Sequence, residues 1–333
     1  MAVIDNAVYV AGARVADPPS LDETFEVMQA HGGMGWISLL RPSEKELGVL
    51  AAELGLHELA VEDALKGHQR SKLERYGETM SLVVRAARYV DKSETVDFSD
   101  LHVFVGDDYV VTVRHASKPD LSGVRARLEG DPELLAMGPM AVLYGILDEV
   151  VDGYLPVVVG LENDIDEIED QIFGEEEVAN LSRRIYELHR EVISFQRAVQ
   201  PLAGLLEDLS KGPGSEGLDT ELLQRLRDVH DHALRVNERV GGFRDLLDNA
   251  LTAYSTIVTQ QQTEASYAQN EQIKRLSAWA AILFAPSLVG TVYGMNFTHM
   301  PELDWVYGYP FALGLMAALG LGLYVTFRRA KWL

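Results

Sequence analysis

Residues 276–333 read LSAWAAILFAPSLVGTVYGMNFTHMPELDWVYGYPFALGLMAALGLGLYVTFRRAKWL, and this stretch decides the fold. It contains two apolar runs, 276–296 and 305–327, separated by the short segment 297–304. A hydrocarbon core of about 30 Å requires about 20 apolar helical residues, so each run is long enough to cross a bilayer. The segment between them is too short to form a domain. We therefore predict two transmembrane helices joined by a tight loop at one membrane face.

The charges that flank these runs predict their orientation. Lys274 and Arg275 precede the first run and a basic tail, 328–333, follows the second, whereas the connecting loop contains acidic residues but no Lys or Arg. Because Lys and Arg concentrate on the cytoplasmic side of membrane proteins, both termini are expected in the cytoplasm and the loop outside. The expected location is the cell membrane (inner or plasma membrane), with a multi-pass topology. The alternative is that both runs are buried helices of a soluble protein.

The composition of the whole chain excludes several classes of function. The 333 residues include 51 Asp or Glu and 29 Lys or Arg, a formal net charge of −22. Nucleic-acid phosphates require a basic face, so nucleic acid is not an expected partner, whereas divalent cations are. Cysteine is absent, which removes thiolate metal ligands. No phosphate-binding glycine loop or hydrolytic motif is present, so we expect neither an enzyme nor an organic cofactor.

The first 135 residues alternate β-rich and helical stretches. Strands are predicted at 34–40, 80–90, 101–105 and 109–113, with a hairpin turn at Asp107-Asp108. Two helices are predicted between the first two strands, the first with Ser43 as its N-cap. Residues 1–135 are therefore expected to form an α/β cytoplasmic domain with a mixed sheet.

The chain then becomes helical. Residues 136–218 predict a helical hairpin with arms at 140–173 and 175–209, the second interrupted or kinked near Pro201, and a turn at Gly212-Pro213-Gly214-Ser215. The stalk, 219–275, runs without proline into the first apolar run, and a single helix from residue 219 to residue 293 would be about 110 Å long, at about 1.5 Å per residue. Any bend is expected at Gly241-Gly242. The uncharged polar residues of 259–272 favour a water-filled axis within a ring of subunits.

The chain resembles the CorA family of magnesium channels over nearly its whole length. The resemblance rests on Tyr293-Gly294-Met295-Asn296-Phe297, on the Met300-Pro301-Glu302-Leu303 that follows, on Lys331-Trp332-Leu333, and on the N-terminal segment 59–65. It implies a funnel-shaped homopentamer in the lipid bilayer. In that assembly the α/β domains form the cytoplasmic rim, the long helix and first span line the pore, and the second span forms an outer ring.

The residues at the outer mouth suit such a pore. Mg²⁺ prefers octahedral oxygen ligands at about 2.0–2.1 Å and loses its water reluctantly. The Asn296 amide, with the backbone carbonyls of Gly294 and Met295, could accept hydrogen bonds from that water, and Glu302 would raise the local cation concentration. The alternative roles are structural: Asn296 as a helix C-cap and Gly294 as a helix terminator.

By resemblance to the family's pore helix, one face of the first span and lower stalk is predicted to line the pore. Leu276 and Phe284 are candidates for apolar constrictions, whereas Ser287 and Asn270 would form polar rings. The alternative for Phe284 is packing against the second span. The full predicted set is Val292, Ser287, Phe284, Ala280, Leu276, Ile273 and Asn270.

The resemblance also implies that cytoplasmic Mg²⁺ bound between subunits closes the channel. It places Asp228 and Asp231 on the stalk side of such a site, with Asp97 and Asp100 as candidates on the facing subunit. A second acidic position of the family falls near Thr252, and the stalk is about a heptad longer here. One regulatory site is therefore expected to be missing or displaced.

The predicted function is a passive Mg²⁺ uptake channel, driven by the membrane potential and gated by cytoplasmic Mg²⁺. A divalent ion gains about 4.6 kcal/mol per 100 mV, so no chemical fuel is required. Two alternatives remain open. One is transport of Co²⁺, Ni²⁺ or Zn²⁺, which His299 beside the mouth would favour. The other is a membrane-anchored sensor that does not conduct.

Overall fold

The computed structural model describes residues 3–67, 70–174, 180–211, 217–297, 300–301 and 304–333. They divide into two compact units, Met1–Thr252 and Ala253–Leu333. The N-terminal unit combines a sheet with helices, and two of the described helices are long and apolar enough to cross a membrane. The expected combination of an α/β part, a long helix and two apolar spans is therefore confirmed. The domain borders at 135 and 218 stay predictions.

The strands of the described residues form one mixed sheet in the order β2-β1-β3-β7-β6-β5-β4. The β3–β7 pair is parallel and the other pairs are antiparallel. The strands are β1 (Val3–Val10), β2 (Ala13–Ala16), β3 (Met34–Leu40), β4 (Lys72–Tyr76), β5 (Thr79–Val90), β6 (Thr95–Val105) and β7 (Tyr109–Arg114).

Ten described helices accompany this sheet. They are α1 (Leu21–His31), α2 (Glu44–Leu54), α3 (Glu58–Lys66), α4 (Ser122–Glu129), α5 (Pro132–Leu135), α6 (Pro139–Asp152), α7 (Tyr154–Phe173), α8 (Leu181–Lys211), α9 (Thr220–Tyr293) and α10 (Gly308–Arg329).

Local sequence signals explain several of these boundaries. The Ser43 side chain accepts the Glu46 N–H and the Glu46 carboxylate accepts the Ser43 N–H, so α2 begins with a complete capping box. The Gly106 N–H donates to the Tyr109 carbonyl (3.0 Å) in the β6–β7 hairpin. The predicted N-cap and the predicted hairpin are both confirmed.

The sheet has more strands than the sequence analysis predicted. β1, β2 and β4 were not predicted, and β6 begins at Thr95 rather than at residue 101. These strands contain polar residues, which interrupt the apolar pattern by which strands are predicted from sequence. Asn6 in β1 is buried because its amide donates to the Pro18 carbonyl (3.2 Å) and to Thr24, and the first half of β6 carries aspartates that pair with arginines of β5.

The predicted 140–173 helix is two helices, because α6 and α7 meet at Gly153. Pro156 lies in the first turn of α7, where a proline has no N–H to donate and its ring disfavours helix before it. A Cβ at Gly153 would lie 3.2 Å from the Glu149 carbonyl oxygen and 3.9 Å from that of Ala87 in β5. The junction therefore lies close against the sheet.

The second arm and the stalk are continuous helices. α8 runs through Pro201 and α9 runs through Gly241-Gly242 without interruption. The predicted turn at Gly212-Pro213-Gly214-Ser215 lies outside the described residues.

Helices cover both faces of the sheet. One face packs against α1, α2 and α3 in a core that includes Val8, Ile37, Leu47 and Phe104. The other face, chiefly β5, contacts α6, α7 and α8. There the Tyr154 hydroxyl donates to the Arg85 carbonyl (2.5 Å), and the Tyr89 hydroxyl donates to the Asp164 carboxylate (2.7 Å).

The helix ends near the outer loop differ from the predicted span limits. α9 ends at Tyr293 rather than at residue 296, and α10 begins at Gly308 rather than at residue 305. The Gly308 N–H donates to the backbone carbonyl of Trp305 (2.9 Å), so the residues before Gly308 form a turn that leads into the helix.

Candidate ion-conduction site

The long helix α9 has one buried side in the N-terminal unit. Its buried residues follow one another at alternating steps of four and three, which is the heptad spacing of a helix that keeps one side against its neighbours. We call this side the seam. In the N-terminal unit it consists of Leu222, Leu226, Val229, Ala233, Val236, Val240, Phe243, Leu247 and Ala250.

Beyond the N-terminal unit the seam register continues while its residues become polar. It passes through Gln261, Glu264 and Glu271, which are exposed, and becomes buried again at Ala278, which is 0% exposed. Within the described chain, buried residues of this register therefore occur in the N-terminal unit and again at Ala278, with exposed polar residues between them.

That last partner is α10. The Trp279 and Tyr324 rings lie 6.4 Å apart, a Cβ at Gly320 would lie 3.5 Å from Pro286 Cγ, and a Cβ at Gly290 would lie 3.2 Å from Met316 Cε. Residue numbers rise along α9 as they fall along α10, so the two helices are antiparallel. The glycines allow their close approach.

The predicted pore residues lie on the side of α9 that faces away from α10. Ala280, Phe284 and Ser287 each follow a seam position by two residues, or about 200° around the helix. All three are exposed, Phe284 to 68%. The alternative for Phe284, packing against the second span, is not seen within this chain. Whether this side lines a pore stays a prediction.

The predicted pore residues nearer the stalk are also exposed. They are Asn270, Ile273 and Leu276, of which Leu276 is 72% exposed. Asn270 and Ile273 also follow seam positions by two residues. At about 100° per residue, Ile273 lies about 10°, Leu276 about 50° and Asn270 about 70° from the centre of the face defined by Phe284 and Ser287.

One residue of this face was missed in the sequence. Val292 lies about 110° from the centre of the face defined by Phe284 and Ser287, whereas Thr291 lies within it. Thr291 is exposed and follows Ser287 by four residues. That spacing of two hydroxyl residues could have indicated Thr291 from the sequence.

The two hydroxyls on this face are oriented by the helix itself. The Ser287 hydroxyl donates to the Leu283 carbonyl (2.9 Å), and the Thr291 hydroxyl donates to the Ser287 carbonyl (2.9 Å). Each hydroxyl has used its hydrogen, so its oxygen can only accept further hydrogen bonds. Ser287 and Thr291 therefore present two acceptors about 6 Å apart along the helix axis.

The outer end of α9 closes through Gly294. The Gly294 N–H donates to the Gly290 carbonyl (3.0 Å), and the Met295 N–H donates to the Val292 carbonyl (3.3 Å). Gly294 therefore has the structural role of ending the helix. Asn296 follows in an exposed, non-helical segment. Within the described residues its amide caps no carbonyl, so the C-cap alternative is not seen.

The segment between the two apolar helices is only partly described. A cavity of about 450 Å³ lies between the outer ends of the two helices and is lined by Gly290, Tyr293, Trp305 and Tyr309 among others. Glu302 and His299 both lie outside the described residues.

The predicted regulatory acids lie apart, in two environments. Asp228 and Asp231 on α9 have side chains that are 71% and 68% exposed. Asp97 pairs with Arg88 (3.1 Å) and is 62% exposed, whereas Asp100 lies 3.4 Å from Arg85 and is 8% exposed. Of the two candidates on the sheet, Asp97 is the more available to an external ion.

A histidine lies close to one of the two predicted acids on α9. His232 lies 3.8 Å from Asp228 and 3.9 Å from Asp152 of α6. Burial, and then the Asp152 charge, raise the pKa of the neighbouring Asp148. In the parts of the chain that the structure describes, no three His, Asp or Glu side chains converge closely enough to hold a metal ion.

Comparisons with known proteins identify the family. The model of the CorA-like Mg²⁺ transporter protein family matches residues 31–329. The putative metal ion transporter YfjQ of Bacillus subtilis is 30% identical over 298 residues, 89% of each chain. The cobalt/magnesium transport protein CorA of Thermotoga maritima is 26% identical over 84% of this chain and 77% of its own.

A solved structure shows the same fold. The CorA magnesium transporter of Methanocaldococcus jannaschii superimposes with a TM-score of 0.63 at 18% identity, covering 90% of this chain and 92% of its own. The sheet, the long helix and the two apolar spans of the present chain are thus found together in a solved relative. This chain belongs to the family of CorA-like Mg²⁺ transporter proteins, which are divalent-cation transporters of the membrane.

Proposed function

We propose that the chain forms a passive channel for Mg²⁺ uptake, assembled as a homopentamer with both termini in the cytoplasm. The observation that carries this proposal is the exposed side of α9 opposite α10, where Phe284, Ser287 and Thr291 are exposed and, within the described residues, the two hydroxyls bond only to carbonyls of their own helix. Their oxygens can still accept hydrogen bonds, which suits contact with water or with other subunits. A ring of such helices around a hydrated axis supplies both.

The chemistry of this side suits an ion that keeps its water. The hydrogens of coordinated water point outward and require acceptors, and Ser287, Thr291 and the Asn296 amide oxygen are acceptors. Hydrated Mg²⁺ would therefore be held by hydrogen bonds that are weak enough to release it. Phe284 and Leu276 would form the apolar constrictions of the same path.

The driving force would be the membrane potential. A divalent ion gains about 4.6 kcal/mol per 100 mV, inside negative, which supports a gradient of roughly a thousandfold. The family assignment supports a transporter rather than an enzyme.

Gating by cytoplasmic Mg²⁺ is the second part of this proposal. Asp228 and Asp231 are exposed, and among the residues that the structure describes their carboxylates lie near histidines only. Carboxylates of neighbouring subunits repel one another when unoccupied, and a bridging Mg²⁺ would stabilise one arrangement of the ring. Asp97 is the better facing ligand, because its side chain is 62% exposed whereas that of Asp100 is 8% exposed.

The competing function within this family is transport of another divalent cation. The relative from Thermotoga maritima is named as a cobalt and magnesium transport protein, so Co²⁺ is a specific alternative, and Ni²⁺ and Zn²⁺ are further ones. The chain has no cysteine, and softer ions favour thiolate and imidazole over neutral oxygen. This favours Mg²⁺.

Ion flux into proteoliposomes tests the proposal directly. Purified full-length chain should admit Mg²⁺ under an imposed inside-negative potential, and Co²⁺, Ni²⁺ and Zn²⁺ more slowly at equal free concentration. The Asn296→Ala variant should lose uptake while Asn163→Ala, an exposed change on α7, keeps it. No flux of any divalent ion from correctly inserted protein would support the non-conducting sensor. Faster flux of Co²⁺ would overturn the Mg²⁺ assignment.

A further inference from the structure

Four basic residues lie at one end of the two apolar helices. One of them, Arg275, lies near Glu271, whose pKa is lowered by its hydrogen bond to Lys274 and further by the Arg275 charge. Arg328 and Arg329 end α10, Lys331 follows it, and Arg275 lies on α9. None of the four forms an ion pair with any other residue that the structure describes. We call these four residues the basic cluster.

The antiparallel packing brings both helices to the same level here. Trp279 of α9 faces Tyr324 of α10. One turn further along each helix, in opposite sequence directions, lie Arg275 and Arg328. Positive charge from two helices therefore collects at the boundary of the apolar spans.

The end of α10 holds its basic residues in a fixed turn. The Trp332 N–H donates to the Phe327 carbonyl (2.9 Å) and the Lys331 N–H donates to the Arg328 carbonyl (3.2 Å). The Trp332 ring stacks on Phe327, with centroids 5.4 Å apart and planes at 22°. This is the hydrogen-bond and contact pattern of a helix that ends in a left-handed residue.

That left-handed residue is Lys331, with φ 61°. Glycine is the usual residue here, because a side chain makes this conformation unfavourable. A lysine in this conformation is unusual, and it places the Lys331 charge at the end of α10, directly after Arg328 and Arg329. The negative end of the helix dipole is equivalent to only about half a charge, so it does not balance the basic residues of this end.

We propose that the basic cluster binds the phosphodiester headgroups of anionic phospholipids, in the membrane leaflet where the helix ends lie. The inference rests on the proposal that α9 and α10 span the membrane. Anionic headgroups are the complementary charge available at that depth, and guanidinium groups bind phosphate oxygens in pairs. The stacked Trp332 and Phe327 would lie at the level where aromatic residues anchor membrane proteins.

Native mass spectrometry of the full chain in detergent can test this. The probes are phosphatidylglycerol and phosphatidylcholine with the same acyl chains, added in equal amounts, and the bound lipids are counted. One basic residue near an anionic surface favours association by roughly fivefold, so we expect at least that preference for phosphatidylglycerol. Inorganic phosphate in excess should not displace the lipid; efficient displacement would show a site for free phosphate instead.

Matched variants separate local binding from overall charge. Arg328→Gln with Arg329→Gln and Lys331→Gln should lose most of the preference. Arg190→Gln with Arg197→Gln and Arg227→Gln changes the net charge equally, on exposed residues of the N-terminal unit, and should keep it. Equal loss in both triple variants, or retention in the first, would overturn the proposal.

Two further variants guard against misfolding. Lys331→Gly suits the left-handed backbone, so the chain should fold at least as well while the preference falls. Arg328→Lys with Arg329→Lys keeps the charge and should keep the preference. If the unchanged chain conducts Mg²⁺ but shows no preference for phosphatidylglycerol, only this inference is rejected; if it shows the preference but no flux, only the channel is rejected.

Discussion

The two ends of α9 belong to one helix with two different surroundings. In the N-terminal unit the seam residues Leu226 and Val240 are 0% exposed, whereas in the C-terminal unit Leu276 and Leu283, which lie off the seam, are 72% and 68% exposed. Burial within one chain thus marks the residues that hold the fold. The exposed apolar residues of the second unit require a medium outside the chain, such as lipid or other subunits.

The largest expected effect separates these two roles of leucine. Leu226→Ala removes a fully buried side chain and should lower the free energy of unfolding by about 2–5 kcal/mol. Leu321→Ala on α10, where leucine is 66% exposed, should change it by less than about 0.5 kcal/mol. Amide hydrogen exchange of the full chain in detergent, followed by mass spectrometry, measures both. Similar effects of the two changes would show that the second unit has a core of its own.

The second prediction concerns a titratable group within the packed unit. His102 of β6 is 2% exposed, and its burial lowers its pKa to about 4 despite the nearby Asp100 charge. Its ring lies 6.4 Å from that of His115, and Asp63 and Lys72 are further charged neighbours. Within the described residues its Nε2 atom has no hydrogen-bond partner. The folded protein therefore holds this imidazole neutral.

Acid should accordingly loosen the sheet. Below about pH 6.5 the unfolded chain binds a proton at His102, whereas the folded chain binds one only near pH 4, so the free energy of unfolding falls across that window. The expected loss is up to about 3 kcal/mol. Amide exchange in β6 and β7 should accelerate from pH 6.5 to 4 after correction for intrinsic exchange rates. His102→Leu should reduce this dependence and His31→Gln, an exposed change, should not; an unchanged profile in His102→Leu would assign the effect to other groups.

Much of this organisation was predictable, because it depends on local patterns. The two apolar runs are free of charge over their length, Ser43 and Glu46 form a standard helix start, and the stalk lacks proline up to Pro286. Strand β1 was not predictable in the same way. Its Asn6 is buried through hydrogen bonds to Pro18 and Thr24, which are made by tertiary structure.

The candidate site also contains residues that the sequence indicated and residues that it did not. The sequence and the family resemblance indicated the outer motif and most of the exposed side of α9. Thr291 was missed because counting in fixed steps does not measure the angle around the helix. The pairing of Asp100 with Arg85 was also missed, because it depends on the register of β5 against β6.

The third prediction tests whether the two units divide sensing from conduction. Asp228→Asn with Asp231→Asn should keep Mg²⁺ conduction and weaken inhibition by millimolar internal Mg²⁺ by about tenfold, the loss of about 1.4 kcal/mol of differential binding. Patch recordings with controlled internal Mg²⁺ measure this. Asp91→Asn with Asp208→Asn, exposed positions elsewhere in the N-terminal unit, is the matched control. Wild-type inhibition in the first double variant would place the sensor elsewhere.

The smallest expected effect concerns Thr291, whose hydroxyl oxygen is an acceptor on the proposed pore side. Thr291→Val keeps the shape of the side chain and removes the acceptor, so a hydrated ion would lose one hydrogen bond per subunit. At about 0.5–1.5 kcal/mol for a hydrogen bond, apparent Mg²⁺ affinity should fall by roughly two- to tenfold. Block by hexaamminecobalt(III), which presents N–H donors where hydrated Mg²⁺ presents water, should weaken by a similar factor.

Thr326 of α10 supplies the control for this prediction, because its hydroxyl also donates to the carbonyl four residues before it (2.8 Å). Thr326→Val removes the same hydrogen bond from the other apolar helix and should leave affinity and block unchanged. Thr291→Ser keeps the oxygen and should behave as the unchanged chain. If both valine variants act alike, the effect belongs to helix stability. If neither acts, Thr291 faces lipid, and the exposed side of α9 opposite α10 is not the path of the ion.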